Sequence, residues 1–278
     1  GNIRPFRIIH FVAMFFIGLW AGTSGRTELF AEMNFFDLIF AIMAIFFAWE
    51  FSVVTNDIMD SDIDSISNAK RPLPRQDLSH SNMLWLAGFY LLYAILCSTL
   101  INPRFAYMIM SFIAIYWLYS MPPARLKRIP VLSIAMISFA SIILIFDGIV
   151  IAGRQPIALP NKLLWAIFVV FSLAFNAKDL KDYEGDKQTG IKTLMTILGK
   201  KNGTLLIAVL IWVSYCIFPM ILGIWNIWLL IVSFIFGGLS FFLTMKNYGE
   251  KAIFIAYFIY FATLSLFFKD IINANIFT

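Results

Sequence analysis

Residues 56–64 read Asn56-Asp57-Ile58-Met59-Asp60-Ser61-Asp62-Ile63-Asp64. This acidic stretch follows a long apolar run that begins near residue 35. A charged side chain at membrane depth costs roughly 2.5–3.5 kcal/mol on insertion scales, and such residues usually mark functional sites. The stretch therefore predicts a membrane-spanning helix that ends in a cluster of carboxylates with a functional role.

The chain repeats this acidic pattern at residues 178–186, which read Lys178-Asp179-Leu180-Lys181-Asp182-Tyr183-Glu184-Gly185-Asp186. Both stretches contain Asp-x-x-Asp-x-x-x-Asp, and together they hold half of the 16 acidic residues. Residues three or four positions apart share one face of a helix. We therefore expect each stretch to present a stack of oxygen ligands to one side: Asn56, Asp60 and Asp64 in the first, and Asp179, Asp182 and Asp186 in the second.

The composition is that of a membrane protein. Of the 278 residues, 61% are hydrophobic and 13% are charged, and the mean hydropathy is +0.84. Soluble domains have about 45–50% apolar and about 25% charged residues. The two cysteines, Cys97 and Cys216, and the two histidines, His10 and His80, lack the spacing of a disulfide framework or a zinc site. The sequence thus indicates a polytopic membrane protein without either feature.

Apolar runs long enough to cross about 30 Å of hydrocarbon define the predicted helices. We expect an all-α integral membrane protein with nine transmembrane helices around a central cavity, capped on the cytoplasmic side by loops or short helices. The predicted spans are 6–24, 35–60, 81–101, 104–121, 130–152, 161–182, 202–223, 225–245 and 251–271. They form a single polytopic domain over residues 1–278. Spans 1–4 (6–121) are echoed by spans 5–8 (130–245), and a ninth span, 251–271, is added.

The distribution of basic residues predicts the orientation. With the N-terminus in the cytoplasm, the cytoplasmic segments hold most of the 21 Lys and Arg residues, as the positive-inside rule requires. This also explains the net charge of +5 without nucleic acid as a partner. Both acidic stretches then lie at the cytoplasmic face of a cell or inner membrane, where they could face each other. The polar segments 61–80 and 183–201 that follow them are expected to form short amphipathic caps.

Oxygen ligands without a Cys or His cluster select a hard cation, Mg²⁺ or Ca²⁺. Mg²⁺ commonly uses one or two carboxylates and completes its shell with substrate phosphate. Basic residues interleave with the acids, a mixture that fits a polyanion such as diphosphate: Lys70, Arg71, Lys178, Lys187 and Lys192. The alternative is that the acids are solvated helix ends balanced by neighbouring lysines. The matched register pairs Asn56 with Lys178, so we expect the first stretch mainly to hold metal and the second also to bind phosphate.

A third polar segment reads Tyr119-Ser120-Met121-Pro122-Pro123-Ala124-Arg125-Leu126-Lys127-Arg128. Its two prolines are expected to stop the preceding helix on the cytoplasmic side. Arg125, Lys127 and Arg128 then offer cations where phosphate would bind. Taken alone, the segment is equally well explained as a positive-inside loop.

In this order the three segments, with Arg71-Pro72-Leu73-Pro74 after the first and Gly190-Ile191-Lys192-Thr193-Leu194 after the second, resemble the UbiA-type intramembrane prenyltransferases. The resemblance implies a nine-helix bundle with a central cavity that opens laterally to the membrane. It also implies Mg²⁺-dependent transfer of an isoprenyl group from a prenyl diphosphate to an aromatic or other lipophilic acceptor. Such reactions belong to quinone, chlorophyll or archaeal-type lipid biosynthesis.

By position, the resemblance assigns roles to the residues of this chain. Asn56, Asp60 and Asp64 would form one metal and diphosphate site, and Asp179, Asp182 and Asp186 the other. Arg71, Arg125, Lys127 and Lys178 would bind phosphate oxygens, with Tyr119 near the reacting carbon. Asp60, Asp182 and Tyr119 are the residues expected to be catalytic. The chain departs from the family in having Asn68-Ala69-Lys70 where many members have Asn-x-Pro.

Two other functions are compatible with the same pattern. A terpene cyclase on this scaffold would act on prenyl diphosphate alone, because the chain's own double bonds would trap the cation. A lipid-phosphate transporter would also explain duplicated helices and intramembrane charge, but it would bind without turnover.

A few isolated residues carry smaller expectations. Gly18 and Gly22 form a small-xxx-small pair for close helix packing, and the Gly237-Gly238 pair is given the same role. Glu50 lies seven residues before Asp57, and it is expected either to orient an acceptor or a basic residue or to make a structural hydrogen bond. For Asp147 the structural role is favoured.

Overall fold

The computed structural model describes residues 4–23, 34–67, 71–267 and 271. No residue in these ranges is in a β-strand. The α-helices are α1 (Pro5–Gly22), α2 (Phe35–Met59), α3 (Ser61–Ser67), α4 (His80–Ile101), α5 (Pro103–Ser120), α6 (Pro130–Ile151), α7 (Asn161–Ala174), α8 (Asp179–Gln188), α9 (Leu194–Leu222), α10 (Ile227–Met245) and α11 (Glu250–Thr263). Short 3₁₀ segments cover Leu126–Arg128, Pro156–Ala158, Phe175–Lys178 and Leu264–Phe267.

Several helices begin where the sequence provides a capping side chain. Asn34 accepts a hydrogen bond from the backbone N–H of Phe36 (3.0 Å) at the start of α2. Asn102 accepts one from Phe105 (2.9 Å) at the start of α5, whose first residue is a proline. Such caps satisfy N–H groups that have no partner within the helix.

Within the described ranges, eight helices are long and apolar enough to cross a membrane: Pro5–Gly22, Phe35–Met59, His80–Ile101, Leu132–Ile151, Asn161–Gln188, Leu194–Leu222, Ile227–Met245 and Glu250–Phe267. The predicted class of all-α integral membrane protein is thereby confirmed. The remaining predicted span, 104–121, is the 18-residue helix α5, but Arg104 and several tyrosines make it less apolar. The count of nine transmembrane helices stays a prediction.

The chain divides into two compact units. The first comprises residues 1–127 and 139–159, and the second comprises 128–138 and 160–278. Helix α6 therefore contributes to both, and the division does not follow the boundary expected between spans 1–4 and 5–8. The predicted single domain and its duplication both stay predictions.

In the first unit, α2 packs against α1, α4 and α5, and α4 also packs against α5. Glycines allow α1 and the second part of α6 to approach backbone to backbone. A Cβ atom at Gly18 would lie 1.8 Å from the carbonyl oxygen of Ile145, and one at Gly148 would lie 2.0 Å from that of Phe15. The packing role expected for Gly18 and Gly22 is therefore borne out, with α6 as the partner helix.

In the second unit, α9 packs against α7, α8 and α10, and α10 packs against α11. A Cβ atom at Gly237 would lie 2.4 Å from Cδ1 of Trp212, so this glycine is required for the α9–α10 contact. The neighbouring Gly238 has nothing within 4 Å, and the packing role expected for it is wrong.

Within the described part of the chain, Asp147 does not make the structural hydrogen bond expected of it. It is fully buried in α6, and neither carboxylate oxygen has a hydrogen-bond partner among the described residues. A buried polar group without a partner lowers stability, so this carboxyl does not hold the helices together through hydrogen bonds.

The close α1–α6 contact predicts that a larger residue at Gly18 destabilises the protein. Replacing Gly18 with Ala would push the two helices apart and is expected to lower the free energy of unfolding by about 1–3 kcal/mol. Gly88→Ala is the matched control, because Gly88 is also helical but has nothing within 4 Å. Alanine there should be neutral or stabilising by up to about 1 kcal/mol. Equal thermal midpoints for the two variants in detergent would contradict the packing assignment.

Candidate functional site

The first acidic motif lies across a helix break. Helix α2 ends at Met59, and Asp60 has non-helical backbone angles (φ −107°, ψ 12°) while its N–H still bonds to the carbonyl oxygen of Asn56 at 2.9 Å. A new helix, α3, begins at Ser61. The helix expected to run on through Asn56, Asp60 and Asp64 is therefore interrupted at Asp60, although the N–H of Asp64 still bonds to the carbonyl oxygen of Asp60 at 2.8 Å. That the three side chains present their oxygens to one side stays a prediction.

Lys127 connects the third polar segment to this motif. Its Nζ donates to both carboxylate oxygens of Asp60 and to Oδ1 of Asn56 (3.2 Å). Ser120 donates from Oγ to the same Asn56 oxygen at 2.8 Å. Lys127 and Asp60 are both buried. The segment after α5 thus folds back onto the end of α2, where the positive charge of Lys127 compensates Asp60.

Arg125 makes the second link between these segments. Its Nη2 donates to the carbonyl oxygen of Met59 (2.7 Å) and to Oδ1 of Asp60 (3.3 Å). The backbone of Arg125 is left-handed (φ 42°), a conformation that non-glycine residues rarely adopt. Residues held in such conformations often belong to functional sites. As the prolines predicted, α5 ends inside this segment, at Ser120, two residues before Pro122.

Asp57 and Asp64 contact a different pair of cations. Oδ1 of Asp57 accepts hydrogen bonds from Nη2 of Arg4 (2.7 Å) and from Nη1 of Arg71 (2.9 Å). Nη1 of Arg71 also donates to Oδ2 of Asp64. Asp57 is 3% exposed and Asp64 is 2% exposed. Every aspartate of the first motif except the exposed Asp62 is therefore buried and paired with a basic side chain.

Burial dominates the electrostatics of this cluster. It raises the pKa of Asp64 to about 6, and the charges of Asp57 and Asp60 add to the rise while Arg71 opposes it. Burial also lowers the pKa of Lys127, against the opposing effect of Asp60. Below a pH of about 6, Asp64 takes up a proton and offers less negative charge to a cation.

The donor set of the first motif fits a hard metal ion by its chemistry. Asn56, Asp60 and Asp64 offer amide and carboxylate oxygens, which Mg²⁺ prefers. Within the part of the chain that the structure describes, no three acidic, histidine or cysteine side chains converge closely enough to hold a metal. The carboxylates instead contact Lys127, Arg125 and Arg71. A metal ion at this motif would have to replace some of these contacts.

The second acidic motif lies at the start of a helix. After α7, the 3₁₀ segment Phe175–Lys178 leads into α8, which carries Asp179, Asp182 and Asp186 at the spacing expected for one face. Asp179 and Asp186 are buried, and Asp182 is half-buried. Nζ of Lys178 donates to Oδ1 of Asp179 at 2.8 Å. This motif therefore also pairs a predicted metal ligand with a predicted phosphate-binding cation.

The remaining charges near α8 form more exposed contacts. Lys181 pairs with Glu250 at 3.1 Å, and Lys200 pairs with Glu184 at 3.7 Å. Lys187 and Lys192, expected to contact phosphate, are exposed. Lys70 lies outside the described residues, as does the whole Asn68-Ala69-Lys70 departure.

Tyr119 lies at the edge of an aromatic cluster. Its ring is 6.0 Å from that of Tyr116, which contacts Trp49 (5.4 Å) and Phe112 (5.1 Å). Phe11 of α1 extends the cluster at 4.9 Å from Trp49. Because Ser120 bonds to Asn56, these rings begin directly beside the first acidic motif.

The sequence pattern of the UbiA prenyltransferase family matches residues 11–269. The chain belongs to that family. The match begins within α1 and includes both acidic motifs of this UbiA-family chain.

Curated relatives share part of their length with this UbiA-family chain. A homogentisate phytyltransferase from Synechocystis is 30% identical over 203 residues, which are 69% of this chain and 64% of the relative. A digeranylgeranylglyceryl phosphate synthase from Thermococcus gammatolerans is 30% identical over 149 residues, 53% of this chain and 51% of the relative. The chain thus spans between half and two thirds of the length of these relatives.

Solved structures of UbiA homologues match almost the whole chain. The homologue from Archaeoglobus fulgidus, bound to GPP and Mg²⁺, gives a TM-score of 0.70 at 17% identity and covers 98% of this chain and 99% of its own. The apo homologue from Aeropyrum pernix K1 gives 0.70 at 15% identity, with 95% and 98% covered. These matches confirm the fold.

Sequence reasoning missed two residues of the first cluster. Arg4 was visible only as a cation before the predicted first span, and Ser120 only as a small polar residue at a helix end. Neither position shows that it contacts Asp57 or Asn56, because the partners lie 53 and 64 residues away in sequence.

The acidic residue Glu50 is buried in α2. Its side chain is 1% exposed, and its Oε1 has no hydrogen-bond partner among the described residues.

The buried ion pair of Lys127 with Asp60 makes a stability prediction. Lys127→Met would leave a buried carboxylate with weaker compensation from Arg125, and breaking such a pair costs roughly 3–5 kcal/mol at most. Lys200→Met is the control, since the Lys200–Glu184 pair is exposed and should contribute about 0–1 kcal/mol. Thermal unfolding in detergent compares them. A midpoint for Lys127→Met as high as that of the control would disprove the stabilising role.

Proposed function

We propose that this UbiA-family protein is a Mg²⁺-dependent prenyltransferase, which moves an isoprenyl group from a prenyl diphosphate to an aromatic or other lipophilic acceptor. The observation that carries the proposal is the mixed cluster at the first motif. There, Asp60 and Asp64 lie in direct contact with Lys127, Arg125 and Arg71. Carboxylates that can hold metal and cations that can hold phosphate are the two halves of a Mg²⁺–diphosphate site.

The acidic residues are proposed as the metal-holding part of the machinery. Asn56, Asp60 and Asp64 would serve in the first motif, and Asp179, Asp182 and Asp186 in the second. When bound, Mg²⁺ neutralises negative charge that develops on the departing diphosphate. Carboxylates that held the metal would give up some of their present contacts with basic side chains.

The released cations are proposed to bind the diphosphate. Arg71 and Arg125 offer planar guanidinium groups that can form two parallel hydrogen bonds to phosphate, and Lys127 and Lys178 offer ammonium groups. Preorganised positive charge of this kind stabilises a leaving anion in the transition state. A bound metal would neutralise the carboxylates that lose their basic partners, and a bound diphosphate would neutralise the basic side chains that lose their carboxylates. Each ligand would therefore favour binding of the other.

The bond changes follow from this arrangement. The C–O bond between the first prenyl carbon and the diphosphate breaks, and its electron pair leaves on the diphosphate oxygen. The aromatic faces near Tyr119 would stabilise the allylic cation character of that carbon. A nucleophilic atom of the acceptor then bonds to the carbon, and its proton passes to a carboxylate or to the released diphosphate.

The acceptor class and the location are part of the proposal. The relatives are named for homogentisate and for a glyceryl phosphate lipid, so an aromatic or lipid acceptor from quinone, chlorophyll or archaeal-type lipid biosynthesis is favoured. In the topology predicted from the sequence, basic residues concentrate on the side that carries both acidic motifs, which supports an active site at the cytoplasmic face of a cell or inner membrane.

Replacing a metal ligand tests the chemistry. Asp60→Asn and Asp182→Asn should each lower Mg²⁺-dependent release of diphosphate from C10 to C20 prenyl diphosphates by roughly 100-fold or more, because charge stabilisation of the leaving group is lost. Glu184→Gln is the control, since Glu184 belongs to the second stretch but is exposed. Wild-type rates in either Asn variant that still elutes as a folded monodisperse peak would remove the metal assignment.

Tyr119 is tested separately with a panel of phenolic and glycerophosphate acceptors. Tyr119→Phe should lower kcat several-fold while changing the KM for prenyl diphosphate little, because the hydroxyl is lost but the ring remains. An unchanged kcat would exclude a role for the hydroxyl. Cyclic products formed by the wild type without acceptor would identify a cyclase instead, and binding without any turnover would identify a transporter.

A further inference from the structure

We propose that Asp57 is a positioning residue that holds Arg4 and Arg71 ready for diphosphate, and that Arg4 is an additional member of the diphosphate-binding set. Asp57 is not assigned to metal here, although it belongs to the same acidic motif. The assignment deepens the proposed function and presupposes it for its kinetic consequences.

The direction of the side chains separates Asp57 from its neighbour. Successive residues of a helix point about 100° apart. Asn56 contacts Ser120 and Lys127, whereas Asp57 contacts Arg4 and Arg71. The two residues of the Asn-Asp pair therefore serve different groups of side chains.

A single buried oxygen orders both arginines. Oδ1 of Asp57 accepts from Arg4 at 2.7 Å and from Arg71 at 2.9 Å, and the aspartate side chain is 3% exposed. The arginine side chains are 21% and 16% exposed, so both remain partly accessible to solvent. Each guanidinium has five N–H donors, and its bond to Asp57 engages one of them. This arrangement orients two partly exposed cations at one carboxylate.

Arg71 shows why Asp57 is needed in addition to Asp64. In the present structure Arg71 bonds to both carboxylates. If Asp64 turns to a metal ion, Asp57 remains as the anchor of Arg71. The guanidinium would then stay beside the motif, held by Asp57 alone.

Arg4 is placed by helix packing. Pro5 occupies the first turn of α1, and the carbonyl oxygen of Arg4 accepts from the N–H groups of Arg7 (3.0 Å) and Ile8 (3.3 Å). Helix α1 is itself fixed against α6 by the glycine contacts described above. The first helix therefore delivers Arg4 to a carboxylate 53 residues away in sequence.

The test measures KM for prenyl diphosphate and kcat at saturating Mg²⁺ and acceptor. Asp57→Asn is expected to raise that KM about tenfold and to change kcat less than twofold. Arg4→Gln should raise the KM several-fold, and in the Asp57→Asn background it should add little, since both substitutions disrupt one unit. Asp57→Glu should restore part of the affinity. Asp62→Asn is the matched control, because Asp62 is an exposed aspartate of the same stretch and should leave KM unchanged.

Direct binding of inorganic diphosphate in the presence of Mg²⁺, measured calorimetrically, gives a second readout without turnover. Weakened binding in Asp57→Asn and Arg4→Gln supports the assignment even if the wild type transfers no prenyl group, an outcome that would sink only the proposed function. Unchanged diphosphate affinity in Arg4→Gln overturns the assignment, and this variant decides if Asp57→Asn does not fold. A loss of kcat at unchanged KM, or full additivity of the two substitutions, also overturns it.

Discussion

Carboxylates that end a membrane-spanning helix must be compensated, and the first unit of this protein is arranged around that requirement. Burial of Asp57, Asp60 and Asp64 would be costly if the three negative charges were left without partners. Cations reach them from three separate parts of the chain: the start of α1, the segment after α3 and the segment after α5. Charge compensation therefore links chain segments that are remote in sequence, and the same links bring together the groups that a metal–diphosphate ligand would need.

Apolar helix packing fixes the positions of the charged side chains that compensate one another. The α1–α6 contact brings backbone to backbone at Gly18 and Gly148, and such close contacts permit little sliding. Arg4 lies at the start of α1, so its position depends on contact residues about three to four turns further along that helix. A substitution in the apolar contact could thus alter the ionic cluster without touching it.

The sequence predicted the elements that depend on local pattern. Repeated acidic spacing identified both motifs, and apolar length placed α4 at 81–101 against the observed His80–Ile101. Features set by distant partners escaped prediction. The break at Asp60 coincides with the hydrogen bond from Arg125 to Met59, and the pairing of Arg4 with Asp57 joins segments with no common pattern. A Thr193–Thr196 capping box starts a short helical turn at Leu194 in a polar segment, which sequence pattern alone did not place. Gly199 (φ 78°, ψ 163°) then interrupts α9, so its long apolar part begins close to the expected 202.

The two acidic motifs meet different backbone surroundings. The first lies where α2 ends, and the last carbonyl groups of that helix carry a partial negative charge of about half an elementary charge. This charge adds to the attraction of Asp60 for cations, and Arg125 bonds there to the carbonyl oxygen of Met59. The second motif lies toward the carboxyl end of the helical stretch Asn161–Gln188, which runs on through the 3₁₀ segment, so its aspartates receive no compensation from a helix N-terminus. Side chains such as Lys178 supply the positive charge there instead.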